Sequence, residues 1–214
     1  MTNRNFREVL DLLDQKGDLI RISKEVDPKF EMPALMKQLE EEGKAFIFEN
    51  VKGSKHPSVG GIFTTMDRYG LIFNADASEK YTFDEAGGRV LSGIAHPIEN
   101  IVLDKGPISE EKFFDDAINL KDFPVATFFE LDSGPFITSA VGIFKKPNGV
   151  INVGFYRCMI VDQKHLLINA SGLSDLRKSY DWHRENNKEM SVAMVIGAPP
   201  PLLMAAASKC PEDI

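Results

Sequence analysis

Apolar positions along the first fifty residues change period three times. Phe6, Val9, Leu10 and Leu13 recur at the i, i+3, i+4, i+7 spacing of one helix face, behind an Asn5 able to cap it. Gly17 stands where a left-handed C-cap is wanted. LIRISKEV (19–26) then alternates as a strand, with Ile20, Ile22 and Val26 on one side. DPKFEMPALMKQLEEEGK returns to helical spacing, with Pro33 suited to a first turn and Gly43 to a stop. AFIFENV (45–51) is apolar enough for a buried strand. The strand–helix–strand order predicts a small α/β layer.

The pattern loosens over residues 52–110. GSKHPSVGGIFTTMDRYGL mixes turn residues with a short apolar stretch, and ASEKYTFDEAGGRV reads as a loop with a short helix. SEEKFFDDAINLKDFP has the charge and aromatic spacing of a surface helix, closed by Pro124. Beyond Pro124 the chain turns β-rich, with turn signals at Ser133-Gly134-Pro135 and Asn148-Gly149. Asn-Gly is the strongest short hairpin signal present and suits the positive φ angles of a type I′ turn. It joins ITSAVGIFKKP to VINVGFYRCMIV, which predicts a β-barrel or a strongly bent sheet. SDLRKSYDWHRENNKEM reads as a helix, and MSVAMVIGAPPPLLMAAA as a buried strand, a Gly-Pro turn and a helix. The fold class is therefore α/β of the α+β kind, divided into residues 1–110 and 111–214.

A chain of 214 residues, 43% hydrophobic and 27% charged, is ample for a buried core. Its formal net charge of -7 argues against nucleic-acid binding, which needs a concentrated basic face. Anionic small molecules stay open, because a local arginine or metal overrides the overall sign. Cys158 and Cys210 match no metal or redox spacing and read as buried thiols of a reducing cytoplasm. The start, MTNRNFREVLDLLDQ, lacks the apolar run of a signal peptide, and no stretch is long and apolar enough to span a bilayer. A cytoplasmic protein without membrane insertion is expected.

One stretch resists explanation by folding alone. NGVINVGFYRCMIVD (148–162) sets Asn152 and Arg157 into an apolar β run. Side chains alternate along a strand, so Asn152, Gly154 and Tyr156 share one face, and Val153, Phe155 and Arg157 the other. A bulge is needed if Asn152 and Arg157 are to meet one ligand; Gly154 would permit it, or let a flat ring approach the backbone. Two readings stand: a sheet-edge Asn with a surface Arg, or a strand bordering a pocket for an anionic, metal-bridged ligand. His56, His96, His165 and His183 have no metal-ligand spacing and read as surface or structural. GAPPP (197–201), where a parallel strand would meet a helix, lacks the residues of a P-loop or a dinucleotide fingerprint and reads as a rigid turn.

Three stretches together resemble the UbiD family of decarboxylases, which use prenylated FMN. They are AFIFENVKGS, LDSGPFITSAVGIFKKPNGVINVGFYRCMIVD and SVAMVIGAPPPLLMAAASKCPED, and the middle one is the most specific. The resemblance implies an amino-terminal α/β layer followed by a split β-barrel cofactor-binding domain at 111–214, incomplete at its carboxyl end. It implies that Asn152 ligates a divalent metal (Mn²⁺ or Mg²⁺) bridging to the cofactor phosphate, with K⁺ as an accompanying ion. Phe155, Tyr156 and Arg157 match the segment contacting the prenylated flavin, and Arg157 also matches the arginine of the active site. Asn169, Ala170 and Ser171 match another cofactor-contacting stretch. The chemistry suits these roles, since a guanidinium holds carboxylates and an amide oxygen is a hard metal ligand.

Two departures stand out. Where the family carries a metal-binding His, this chain reads INASGLSDLRK; Ser174 or Asp175 falls nearest, Ser174 as a cofactor contact and Asp175 as an oxygen ligand. The sequence also stops at CPEDI, before the positions of the family's metal-binding Glu and the acids of its proton-transfer set. A piece of a longer chain is expected, inactive by itself. The activity implied for the intact protein is reversible, non-oxidative decarboxylation of an aromatic or α,β-unsaturated carboxylic acid, exchanging CO₂. A homo-oligomer (dimer or hexamer) and a flavin prenyltransferase supplying the cofactor are implied with it. The rivals are an FMN-binding split-barrel oxidoreductase and a cofactor-free or regulatory subunit of a carboxylase assembly; the absent His and acids favour the latter.

Overall fold

Asn5 caps α1 (Phe6–Gln15) reciprocally in the computed structural model, which describes residues 5–73, 81–99 and 101–209. Its side chain accepts from the Glu8 amide, and the Glu8 carboxylate accepts from the Asn5 amide. Gly17 follows at φ +69° and ends the helix in the left-handed region. Strands β1 (Leu19–Ile22) and β2 (Ala45–Phe48) run parallel, joined by α2 (Glu31–Glu41), and β3 (Ser58–Gly60) adds antiparallel to β2. Every residue of β2 is buried because helices cover both faces of the sheet. Ala45 and Ile47 pack with Val9 and Leu13 of α1, whereas Phe46 and Phe48 pack with Met32 of α2.

Strand β1 is shorter than the alternation predicts. It ends at Ile22, where the Asn50 side chain donates to the Ser23 carbonyl that a longer strand would offer a neighbour. Val26 then meets Val51 in an isolated bridge. Helix α3 (Met66–Ile72) contributes the buried Arg68, whose guanidinium grips Asp18 at 2.6 Å and also donates to the carbonyls of Gly43 and Gly61. One cation thus ties the loops after α1, α2 and β3.

Helix α4 (Phe83–Ala95) is longer than expected, and none of its residues is buried. Residues 77–80 of the stretch read as its approach lie outside the described residues. The surface helix expected before Pro124 is not formed. Short 3₁₀ turns at Pro107–Ser109, Asp115–Ala117 and Leu120–Asp122 stand there, with Asp115 at φ +49°. Phe113 and Phe114 are exposed, so the aromatic stripe finds no surface to pack on, and a short helix without such a face is not stable. The segment works as a staple instead: Asp122 pairs with Lys55 at 2.8 Å, its carbonyl accepts from the Ser54 hydroxyl, and Thr127 bonds the backbone of Pro28 and Phe30.

The β-rich part forms two three-stranded sheets. One has β4 (Phe136–Ile137), β7 (Cys158–Ile160) and β8 (Leu166–Ile168) in the order β4-β7-β8; the other has β5 (Val141–Lys145), β6 (Ile151–Phe155) and β9 (Val192–Val195) in the order β6-β5-β9. Both arms of the central hairpin switch sheets at the same level, β4 into β5 and β6 into β7. Of the two forms expected, this is the strongly bent sheet; the described residues close no barrel. Ile137, Ala140, Cys158 and Ile160 fill the elbow. Cys158 is buried, which pushes its thiol pKa up; Cys210 lies outside the described residues.

Three local expectations change. The Asn148-Gly149 turn is not type I′. Lys146 accepts from the Gly149 amide and donates to the Val150 carbonyl, only Gly149 of the loop has positive φ (+91°), and the result is a type I turn with a glycine bulge. Pro147 favours this form, because it has no amide to pair with Val150 across a two-residue loop, while its fixed φ suits the first central position of a type I turn. Strand β9 is antiparallel to β5, not parallel to a neighbour, and is only partly buried. The rigid turn at Gly197 (φ +72°) then leads into α6 (Pro200–Ala207) as expected.

Candidate functional site

The bend in the hairpin brings the sequence-predicted residues into one closed circuit of contacts. Asn152, on β6, donates from Nδ2 to Asp175 Oδ2 at 3.2 Å and accepts at Oδ1 from the Tyr156 hydroxyl at 2.9 Å. Arg157, next in the chain, accepts at its carbonyl from the Asn169 amide at 3.0 Å. Asn169 leads through Ala170 to Ser171, whose carbonyl accepts from the amide and hydroxyl of Ser174. Ser174 caps α5 (Asp175–Glu185), and the first residue of that helix is Asp175, which closes the circuit.

Two features of Tyr156 decide the geometry. Asn152 and Tyr156 share a face, as alternation predicts, yet four residues of straight strand span about 13 Å. Their hydrogen bond therefore requires the Tyr156 ring to fold back over the strand. It lies across Gly154 and Gly142, which face each other in the β5–β6 register; a Cβ at Gly142 would meet the ring at 2.6 Å and one at Gly154 at 3.3 Å. The flat ring admitted by glycine is thus the protein's own. Burial first, and the Asp175 charge second, raise the Tyr156 phenol above its ordinary range.

The bulge that Gly154 would permit is absent. The β5–β6 register is one-to-one from Val141↔Phe155 to Lys145↔Ile151. The face changes instead where the chain leaves β6 for β7, at Tyr156 and Arg157. Asn152 and Arg157 do not touch: the Arg157 guanidinium stands 4.9 Å over the Phe136 ring, on the β4 side of the elbow. Phe155, Arg157, Asn169 and Ser171 are exposed, so these residues present an open face rather than an enclosed pocket. A mostly apolar hollow lies elsewhere, lined by Pro28, Gly53, Phe123, Pro135 and Ile160, and uses none of the candidates.

Sequence reasoning missed Lys146. Its ammonium is 3.2 Å from Asp175 Oδ2, the same oxygen that Asn152 engages. No spacing rule links positions 29 apart, and nothing local in the sequence hinted at it. It missed Phe136 as the support of Arg157 for the same reason. The Asn152 oxygen is therefore engaged by a phenol, and Asp175 faces Lys146 at Oδ2 and Lys178, 3.8 Å away, at Oδ1. No group of three or more His, Cys, Asp or Glu among the described residues could hold a metal ion. As they stand, these residues do not fit a divalent cation. They offer an exposed ring, a guanidinium, amides and hydroxyls, groups whose chemistry suits an aromatic, anionic ligand. The histidines stay outside the circuit: His56 stacks on Phe123, His165 pairs with Asp162, His183 bonds the Ser179 carbonyl, and His96 ends α4.

Comparison with known proteins gives the same region a context. A model described as 3-octaprenyl-4-hydroxybenzoate carboxy-lyase Rift-related domain matches residues 100–214, and one for the amino-terminal domain of that carboxy-lyase matches residues 10–83. The fold is similar to the UbiD-class enzyme HmfF from Pelotomaculum thermopropionicum in complex with FMN, at TM-score 0.87 and 27% identity over 99% of this chain and 46% of that one. An evolved dimeric form of HmfF in complex with prFMN gives 0.85 and 28%, over 96% and 47%. The phenolic acid decarboxylase of Sedimentibacter hydroxybenzoicus is 28% identical over 216 residues, 96% of this chain and 45% of that protein. The chain thus spans less than half the length of the curated relatives it matches. No helix among the described residues is long and apolar enough to cross a membrane.

Proposed function

Because this chain belongs to the UbiD family of carboxy-lyases, we propose that it forms the flavin-facing wall of a reversible, non-oxidative decarboxylase of aromatic or α,β-unsaturated acids. The cofactor in this reading is prenylated FMN, with residues 111–214 as its binding region. One observation carries it: Asn152, Tyr156, Arg157, the 169–171 stretch, Ser174 and Asp175 lie along one circuit at the hairpin elbow, with Phe155 exposed beside it in the chain. Relatives of the same fold bind FMN and prFMN, and a related protein is a phenolic acid decarboxylase.

Loss of CO₂ breaks a carbon–carbon bond and leaves the electron pair on carbon. The prenylated flavin, when bound, supplies the sink for that pair. The chain's own residues do the rest on this wall. Arg157 holds the substrate carboxylate with two parallel N–H donors, and Phe136 beneath it restricts the guanidinium to one side of the elbow. Phe155, 42% exposed, offers an apolar surface that excludes water from the leaving carboxylate. Tyr156 orients Asn152 and does not serve as the acid, because its proton is held by Asn152 and its pKa is raised. The proton that replaces CO₂ comes from an acid outside this circuit, whose single acid, Asp175, is paired with Lys146.

The test is Arg157→Ala in the intact protein produced together with a flavin prenyltransferase. CO₂ release from a panel of aromatic acids should fall by a factor on the order of 10² or more while the flavin spectrum stays. Undiminished turnover removes Arg157 from the mechanism. Consumption of NAD(P)H on ordinary FMN would instead support the oxidoreductase reading.

A further inference from the structure

Resting on the flavin reading above, we propose that Lys146 is the resident cation of this site and grips the phosphate of FMN directly, where a divalent ion would otherwise bridge. A lysine in a hairpin turn ordinarily extends into water, as its neighbours Lys145, Pro147 and Asn148 do. The Lys146 side chain is 13% exposed and turns inward, its ammonium 3.2 Å from Asp175 Oδ2. That oxygen also accepts from Asn152 at 3.2 Å, and the Asn152 oxygen accepts from Tyr156. The four side chains fix one another, so the positive charge is held in place before any ligand arrives.

Within this circuit a divalent ion competes poorly. Magnesium and manganese at phosphate sites lean on one or two carboxylates, with water and phosphate completing the shell. The one carboxylate of this circuit already faces an ammonium, and an ion on it would stand beside a like charge. An ammonium carries three N–H donors in a compact charge, which suits Asp175 and a phosphate oxygen together.

The experiment uses the intact protein, FMN and riboflavin as probes, and Mn²⁺ followed by its electron paramagnetic resonance signal. Wild type should bind FMN within about twofold in EDTA and in excess Mn²⁺, and should leave the Mn²⁺ signal unchanged. Lys146→Met should lose FMN affinity by about tenfold in EDTA, with riboflavin affinity unchanged, since only FMN carries the phosphate. The same variant should take up Mn²⁺ on Asp175 and Asn152, since only Lys178, 3.8 Å from Asp175 Oδ1 and largely exposed, then remains beside the carboxylate, whereas Lys146→Arg, which keeps the charge, should behave as wild type. FMN binding by wild type that requires Mn²⁺, or Lys146→Met binding FMN normally in EDTA, overturns the proposal. Should wild type bind no FMN under either condition, the flavin reading fails separately. The Mn²⁺ arm then still decides whether Lys146 holds the cation position, since equal Mn²⁺ uptake by wild type and Lys146→Met rejects it.

Discussion

The amino-terminal layer and the hairpin elbow use polar residues in opposite ways. In the layer, β2 is buried along its whole length, and the buried Arg68 spends its donors on Asp18, the Thr64 hydroxyl and backbone carbonyls. Its chemistry is exhausted by holding loops together. At the elbow the chain leaves one sheet for another, burial is incomplete, and Asn152, Tyr156, Asp175 and Lys146 satisfy one another beside an exposed guanidinium. A saturated core gives stability, and a bend between sheets leaves polar side chains paired with one another and partly exposed.

Mutations should separate the two regions by size of effect. Phe48→Ala, at a fully buried position between helix and sheet, should cost about 3–5 kcal/mol, read as a lower urea midpoint. A cost below about 1 kcal/mol there would deny that the layer carries the stability. Arg68→Met should cost roughly 3 kcal/mol, since Asp18 and two loop carbonyls lose their donor together; the partial exposure of Asp18 keeps the figure from rising further.

Effects at the elbow should be smaller in stability. Tyr156→Phe should cost about 1 kcal/mol for one hydrogen bond. It should also change the alkaline behaviour. The folded phenol keeps its proton to higher pH than the unfolded one, so its contribution is full below about pH 10 and is lost as pH rises through the folded pKa. Wild type should therefore show a declining limb above about pH 10 that is weaker in the Phe variant, measured by denaturation across that range. Smallest of all, Arg157→Ala should alter stability within about 0.5 kcal/mol, because its side chain is exposed and rests on one ring. A large destabilisation would mark Arg157 as structural and erase the contrast.

Much of this was legible in the chain. The Asn5 cap, the Gly17 and Gly43 stops, the α2 first turn and the shared face of Asn152 and Tyr156 follow from local rules. A turn at Pro147-Asn148-Gly149 was legible too, although its type depends on the proline as much as on the Asn-Gly pair. The stretch before Pro124 misled because its helical spacing was real while the surface it needed was missing.

Periodicity, caps and turns were determined by the sequence itself, because each depends on residues within a turn or two of one another. Which polar groups meet was decided only by the tertiary structure. Asp175 lies 23 positions from Asn152 and 29 from Lys146, and nothing local selects those partners. They come together because both hairpin arms break at the same level and α5 returns its first turn to the bend, a consequence of sheet pairing over the whole region.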